Sequence, residues 1–150
     1  MPNQATMRTP VVVGPGDLYA AVAWLCSQQE ASLASVAWTL RSLVDHPLET
    51  LELAERLDLA VQLGLRVAAT PQGCGWVARP EVMPQSFAPF LAELPFQWVL
   101  GRLAKAGGRL SLVALSDRLS EAAAQALAEW GEWLGYWRLE AGWIISQEAA

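Results

Sequence analysis

The sequence has few of the residues that bind phosphate groups or metal ions. It contains ten basic residues against fifteen acidic ones, and its formal net charge is −5. Lys105 is the one lysine, whereas a protein that follows a phosphate backbone needs clustered lysine and arginine. One histidine and two distant cysteines fall short of the ligand set of a structural zinc site. We therefore expect no metal and no general affinity for nucleic acid.

Long apolar runs are also missing. None approaches the ~20 residues of a membrane span, and the N-terminus lacks the basic start and apolar stretch of a secretory signal. Cys26 and Cys74 are too few for a disulfide scaffold and do not form a CxxC pair. We predict a cytoplasmic protein with two free thiols and no membrane partner, although the sequence leaves a disulfide between Cys26 and Cys74 open.

Apolar residues at helical spacing predict three helices in the first half of the chain. Hydrophobic residues make up 53% of the sequence, which excludes disorder as its main state. Asp17 is the expected N-cap of a first helix whose buried face contains Leu18 and Leu25. A second helix spans residues 33–40, and a third is expected to end near Gly64. Residues 65–69 and 76–79 then form a predicted hairpin.

The same order is predicted again after residues 80–94, whose four prolines exclude a continuous helix and indicate a linker. Helices are expected from Phe96, around residues 112–119, and from Ala123. A second hairpin joins residues 137–140 and 143–146 through Ala141 and Gly142.

Two short matches predict an internal repeat. Leu63-Gly64-Leu65 matches Leu134-Gly135-Tyr136 at an offset of 71 (135 − 64). Gly75-Trp76-Val77 matches Gly142-Trp143-Ile144 at an offset of 67 (142 − 75). Both copies therefore consist of three helices, a Leu-Gly step, a strand, a Gly-Trp turn and a return strand.

This pattern resembles the winged-helix superfamily, in which three helices are closed by a β-hairpin wing. The resemblance implies an α+β, mainly α fold with two tandem winged-helix domains at residues 17–79 and 95–147. An N-terminal tail (1–16) and the linker (80–94) complete the predicted organisation. The alternative is an all-α protein in which the apolar C-terminal segments form further helix.

The third helices carry acidic rather than basic residues. In the second repeat the expected outward face contains Glu121, Gln125, Glu129 and Glu132. In the first it contains Glu49, Glu52, Glu55 and Asp58, with Arg56 expected to pair with Glu52. Such helices are repelled by DNA phosphates, whereas winged helices usually read DNA with this element.

In size, charge and domain order the chain is similar to the ScpB-type subunits of bacterial chromosome-condensing complexes. ESCRT-II subunits use the same architecture for assembly. The resemblance implies an adaptor or complex subunit that binds proteins, with a second copy of the chain among the partners.

Aromatic residues add a second candidate surface. Residues 130–137 contain three tryptophans and a tyrosine, which cannot all face inward from one helix. Trp133 and Tyr136 therefore form either a partner-binding surface or a contact between the two repeats. The predicted partner-binding residues are Glu52, Glu55, Glu129, Glu132, Trp133 and Tyr136.

The alternative function is that of a DNA-binding transcriptional regulator. Its candidate phosphate contacts are Arg102, Lys105, Arg109 and Arg138, all in the second repeat. The sequence contains no convincing enzyme motif. Cys74 is expected in a tight turn and His46 near a helix start, and neither position indicates a Cys-His catalytic pair. No Gly-Lys-Ser/Thr follows a glycine-rich loop, so a phosphate-binding loop is not expected. We expect no catalytic activity, no cofactor and no small-molecule substrate.

Overall fold

The computed structural model describes residues 11–147, which form two compact units. Residues 16–92 are the N-terminal unit, and residues 93–147 together with 11–15 are the C-terminal unit. Each unit combines helices with a three-stranded antiparallel sheet. The fold is therefore α+β and mainly α, as the sequence predicts.

In the N-terminal unit the strand that comes last in the chain is the centre of the sheet. Strand β3 pairs with β1 on one side and with β2 on the other. The elements are α1 (Pro15–Ser27), β1 (Ala31–Ser32), α2 (Leu33–Leu43), α3 (Pro47–Arg56), β2 (Ala60–Leu63), β3 (Arg66–Ala69), α4 (Pro71–Ala78) and α5 (Phe87–Ala92).

The first helix buries the predicted face but begins earlier than predicted. Leu18, Ala21, Val22 and Leu25 are buried. Pro15 starts the helix because its fixed φ suits the first turn. Proline has no backbone N–H, and in the first turn an N–H would have no acceptor within the helix. Asp17 is therefore inside the helix and not its N-cap. Its carboxylate accepts a hydrogen bond from the backbone N–H of Asp45 at 3.3 Å.

The third helix is shorter than predicted, because the chain leaves it at Asp58. Helix α3 ends at Arg56, and Asp58 has a φ of 63°. A residue in this left-handed conformation stops a helix, and aspartate tolerates it better than most side chains. The backbone N–H of Leu59 then bonds to the carbonyl of Ala54 at 2.8 Å. Residues 60–63, predicted as helix, are strand β2.

The first hairpin differs from the prediction as well. Strand β3 pairs with β2 around Gly64, whose φ is 66°, and not with residues 76–79. Residues 71–78 are helix α4 because Thr70 and Pro71 form a strong helix start. The Thr70 hydroxyl accepts a hydrogen bond from the backbone N–H of Gly73 at 2.9 Å. Trp76 is consequently a helical core residue and not part of a wing.

The predicted linker and free thiols are also corrected. Residues 80–92 belong to the N-terminal unit, and Phe87 and Phe90 of α5 are buried. Cys26 of α1 and Cys74 of α4 form a disulfide with a Cα–Cα distance of 5.7 Å. Disulfides persist in oxidising compartments and are rare in the cytosol, so this bond does not support the cytoplasmic location expected from the sequence.

The C-terminal unit contains the predicted first helix and hairpin, but its third helix ends at Trp133, before the predicted Trp137, and strand β4 was not predicted. Its central strand, β6, pairs with β4 and β5, and the Ala141-Gly142 turn joins β5 to β6. Trp130, Trp137 and Ile144 are fully buried in its core. The elements are α6 (Phe96–Lys105), β4 (Arg109–Ser111), a 3₁₀ helix (Leu112–Leu115), α7 (Glu121–Trp133), β5 (Trp137–Glu140) and β6 (Trp143–Ser146).

The two units repeat one order of elements, at a different offset from the predicted 71 and 67. From the third helix to the hairpin the offset is 77 residues (134 − 57 and 137 − 60). Leu57 and Leu134 are the two helix C-caps, and the next residues, Asp58 and Gly135, both have positive φ. The Leu-Gly and Gly-Trp matches therefore align residues with different structural roles. Within residues 11–147, no helix is long and apolar enough to cross a membrane.

Candidate functional site

Helix α3 has one buried and one acidic face. Thr50, Leu51, Leu53 and Ala54 are buried. Glu49 and Glu52 are exposed, Glu55 is half-exposed, and Leu48 beside them is 65% exposed. Among the described residues no ion pair involves these three carboxylates. We call Leu48, Glu49, Glu52 and Glu55 the acidic face of α3.

The predicted ion pair between Glu52 and Arg56 is not formed. The guanidinium of Arg56 lies over the ring of Phe90, with its Cζ atom 5.5 Å from the ring centroid. Phe90 belongs to α5, a helix within the predicted linker. Because Arg56 packs on this ring, it leaves the carboxylate of Glu52 exposed.

The carboxylates of α7 are less available than those of α3. The indole N–H of Trp130 binds the carbonyl of Val13, and the side chain of Glu129 lies against Gly14. Glu129 is therefore half-buried, and it accepts a hydrogen bond from the Gln125 amide at 2.8 Å. Glu132 is exposed and accepts a hydrogen bond from the backbone N–H of Leu139 at 3.0 Å. The expected acidic face of α7 is thus partly covered by residues 13 and 14.

Trp133 and Tyr136 occupy different surroundings in the C-terminal unit. Trp133 is half-buried and meets the ring of Trp130 edge-on at a centroid distance of 5.3 Å. Tyr136 is 42% exposed and contacts Phe96, with 5.0 Å between the ring centroids. Both rings therefore combine internal packing with exposed surface.

Three of the four residues predicted to contact DNA interact with other side chains of the protein. Arg102 pairs with Asp117 at 3.0 Å, and Arg138 pairs with Glu140 at 2.8 Å. The Cζ atom of Arg109 lies 4.6 Å from the ring centroid of Trp143. Lys105 is exposed and has no ion pair among the described residues.

The structure leaves no catalytic pair at Cys74 and His46. Cys74 is bonded to Cys26 and therefore has no thiol to ionise. Within residues 11–147, no cluster of three acidic, histidine or cysteine side chains is placed to hold a metal ion.

Sequence reasoning missed the groove around Trp98. Gln97, Trp98, Gly101, Arg102, Lys105 and Leu110 line it, and Arg118 packs on the Trp98 ring. One sequence signal was available: Gly101 interrupts a strongly amphipathic helix, where glycine is unfavourable.

No protein-family model matches the chain, and comparison with curated proteins finds no significant match. The candidate function consequently rests on the sequence pattern and on the geometry described above.

Proposed function

We propose that the protein is a non-enzymatic adaptor or complex subunit built from two winged-helix domains. The order of elements in each unit supports this: helix, strand, helix (a 3₁₀ turn in the C-terminal unit), helix, and a two-stranded hairpin. The sheets support it too, because in both units the last strand lies between the other two.

The acidic face of α3 is the observation that carries the proposed function. This helix corresponds to the element that winged-helix proteins insert into the major groove. Glu49 and Glu52 on it are exposed and without ion pairs, so approach to DNA would bring like charges together at a cost of several kcal/mol. An exposed leucine flanked by carboxylates suits a partner protein with a basic, partly apolar surface.

Charge reversal on this face tests the proposal. We expect the partner that co-purifies with the wild-type protein to decrease at least tenfold with Glu49→Lys/Glu52→Lys, about 1.4 kcal/mol or more. Glu81→Lys is the matched control, because Glu81 is an exposed carboxylate outside helix α3. Equal recovery with both variants would contradict the role of this face.

The aromatic residues Trp133 and Tyr136 are the proposed second contact, with self-association among the outcomes. The solution mass of Trp133→Ala, compared with that of the wild type, measures it. If mass and partner recovery are unchanged in a folded variant, Trp133 serves internal packing alone.

DNA binding through Arg102, Lys105, Arg109 and Arg138 is the second candidate. The exposed Lys105 favours it, whereas the ion pairs of Arg102 and Arg138 reduce the charge available to phosphates. Titration with duplex DNA across salt concentrations separates the two candidates. Tight binding with a steep negative salt slope would replace the adaptor proposal.

A further inference from the structure

Helix α6 forms one wall of an open groove in the C-terminal unit. We call it the α6 groove: it is lined by Gln97, Trp98, Gly101, Arg102, Lys105 and Leu110 and has a volume of about 530 Å³. Gln97, Gly101 and Lys105 are four residues apart and therefore share one face of the helix. The helix backbone at Gly101 lies between these two longer side chains.

The α6 groove is basic although the chain as a whole is acidic. Arg102 and Lys105 line it, and Arg118 adds a third cation at its edge. The Cζ atoms of Arg102 and Arg118 lie 5.5 and 5.1 Å from the ring centroid of Trp98. Arg102 pairs with Asp117, whereas Lys105 and Arg118 have no ion pair among the described residues. At least two positive charges are therefore available to a ligand.

Gly101 has no packing reason to be glycine. It lies inside α6, and a Cβ atom at this position would meet nothing within 4 Å. Glycine within a helix costs roughly 0.5–1 kcal/mol relative to alanine. Glycine leaves the helix surface open between Gln97 and Lys105, where Gly101 lines the groove.

We propose that the α6 groove binds a short acidic segment of a partner polypeptide. Its cations suit a few carboxylates, and the Trp98 ring holds the guanidinium groups of Arg102 and Arg118 in place for them. Tryptophan and arginine are also the residues that most often carry binding energy at protein interfaces. This site is separate from the acidic face of α3 and from Trp133 and Tyr136, so it adds a third contact to the proposed adaptor.

Nucleic acid suits the groove less well. A base would have to stack on Trp98, where the guanidinium groups of Arg102 and Arg118 already lie. A duplex also needs a long series of cations, and Arg138, beyond the groove on strand β5, is paired with Glu140. A segment with two or three carboxylates needs only the cations found here.

The test measures fluorescence anisotropy with a short fluorescein-labelled peptide of alternating Glu and Leu. A second peptide with Gln in place of Glu is the ligand control. We expect saturable binding of the Glu peptide alone, weakened by added NaCl because salt screens exposed charges. Gly101→Leu, which fills the groove, is expected to reduce affinity at least tenfold, and Lys105→Gln/Arg118→Gln by a similar factor.

Matched variants separate these effects from general changes in fold or charge. Gly75→Leu places the same side chain at another helical glycine with open space around it, and Arg79→Gln removes an exposed cation elsewhere. Both are expected to bind like the wild type. Because this assay measures a peptide and not the co-purified partner, its failure is distinct from failure of the proposed function. Absence of binding, equal binding of the Gln peptide, or tighter binding of single-stranded DNA would overturn the proposal.

Discussion

The indole N–H of Trp130 donates a hydrogen bond to the backbone carbonyl of Val13 at 2.7 Å, across 117 residues of sequence. Trp130 is fully buried and Val13 is 2% exposed. A buried carbonyl needs a hydrogen-bond partner, and Trp130 supplies it here. This bond fixes the segment before α1 onto α7 and brings Gly14 against Glu129.

We expect Trp130→Phe to lower the free energy of unfolding by about 2–4 kcal/mol. The variant removes the N–H donor, leaves the Val13 carbonyl unpaired and opens a cavity beside the smaller ring. Chemical denaturation measures the change. Trp38→Phe is the control, because Trp38 is 72% exposed and its replacement should cost less than about 0.5 kcal/mol. Equal stability of the two variants would contradict the role of the bond.

The Cys26–Cys74 disulfide is expected to stabilise the N-terminal unit by about 4 kcal/mol, because it closes a loop of 48 residues in the unfolded chain. Reduction of the wild type should lower the denaturation midpoint. The double variant Cys26→Ser/Cys74→Ser should have the same denaturation midpoint as the reduced wild type, and addition of reductant should not change it. Unchanged stability after complete reduction would contradict this prediction.

Reduction is not expected to release helix α4. Tyr19 donates a hydrogen bond from its hydroxyl to the Val77 carbonyl at 2.9 Å, and its ring meets Trp76 at 5.4 Å. These contacts join α1 to α4 independently of the disulfide. The circular-dichroism spectrum of the reduced protein should therefore keep its helical signal at room temperature. Thiol labelling in freshly lysed cells then shows whether the bond exists in the protein's own compartment.

The C-terminal unit was predictable because its local signals agree with one another. The spacing of Ala123, Leu127 and Trp130 is helical, and Ala141-Gly142 is a turn with positive φ at both residues. In the N-terminal unit two signals conflicted. Gly75-Trp76 has the same residues as the Gly142-Trp143 hairpin turn and so predicts a turn, whereas Thr70-Pro71 predicts the start of a helix. The helix forms.

Long-range contacts explain what the sequence could not predict about the candidate site. Glu129 lies on the predicted face of α7, but its side chain is partly buried against Gly14, which is distant in the sequence. The pairing of Cys26 with Cys74 likewise depends on the packing of two helices, for which their spacing in sequence gives no signal. The acidic face of α3 was predictable because helical periodicity alone exposes Glu49 and Glu52.

Gly131 and Trp137 form a complementary pair in the C-terminal core. The Trp137 ring occupies the space that a Cβ atom of residue 131 would need. We expect Gly131→Ala to destabilise the protein by about 1–3 kcal/mol through overpacking, although alanine favours helix. The variant Gly131→Ala/Trp137→Leu should lose less than the sum of the two single changes, as a double-mutant cycle of unfolding free energies measures. Additive losses would show that the two residues do not interact.

Gly101→Ala is expected to have the opposite effect on stability. A Cβ atom at residue 101 meets no neighbour, so alanine should raise the free energy of unfolding by about 0.5–1 kcal/mol through helix propensity alone. Gly75→Ala in α4 has the same open surroundings and should give a similar gain. A loss of stability at residue 101 would mean that the fold itself requires glycine there. A gain at both positions would show that the fold requires neither glycine, so the effect of residue 101 on peptide binding can be measured without a loss of stability.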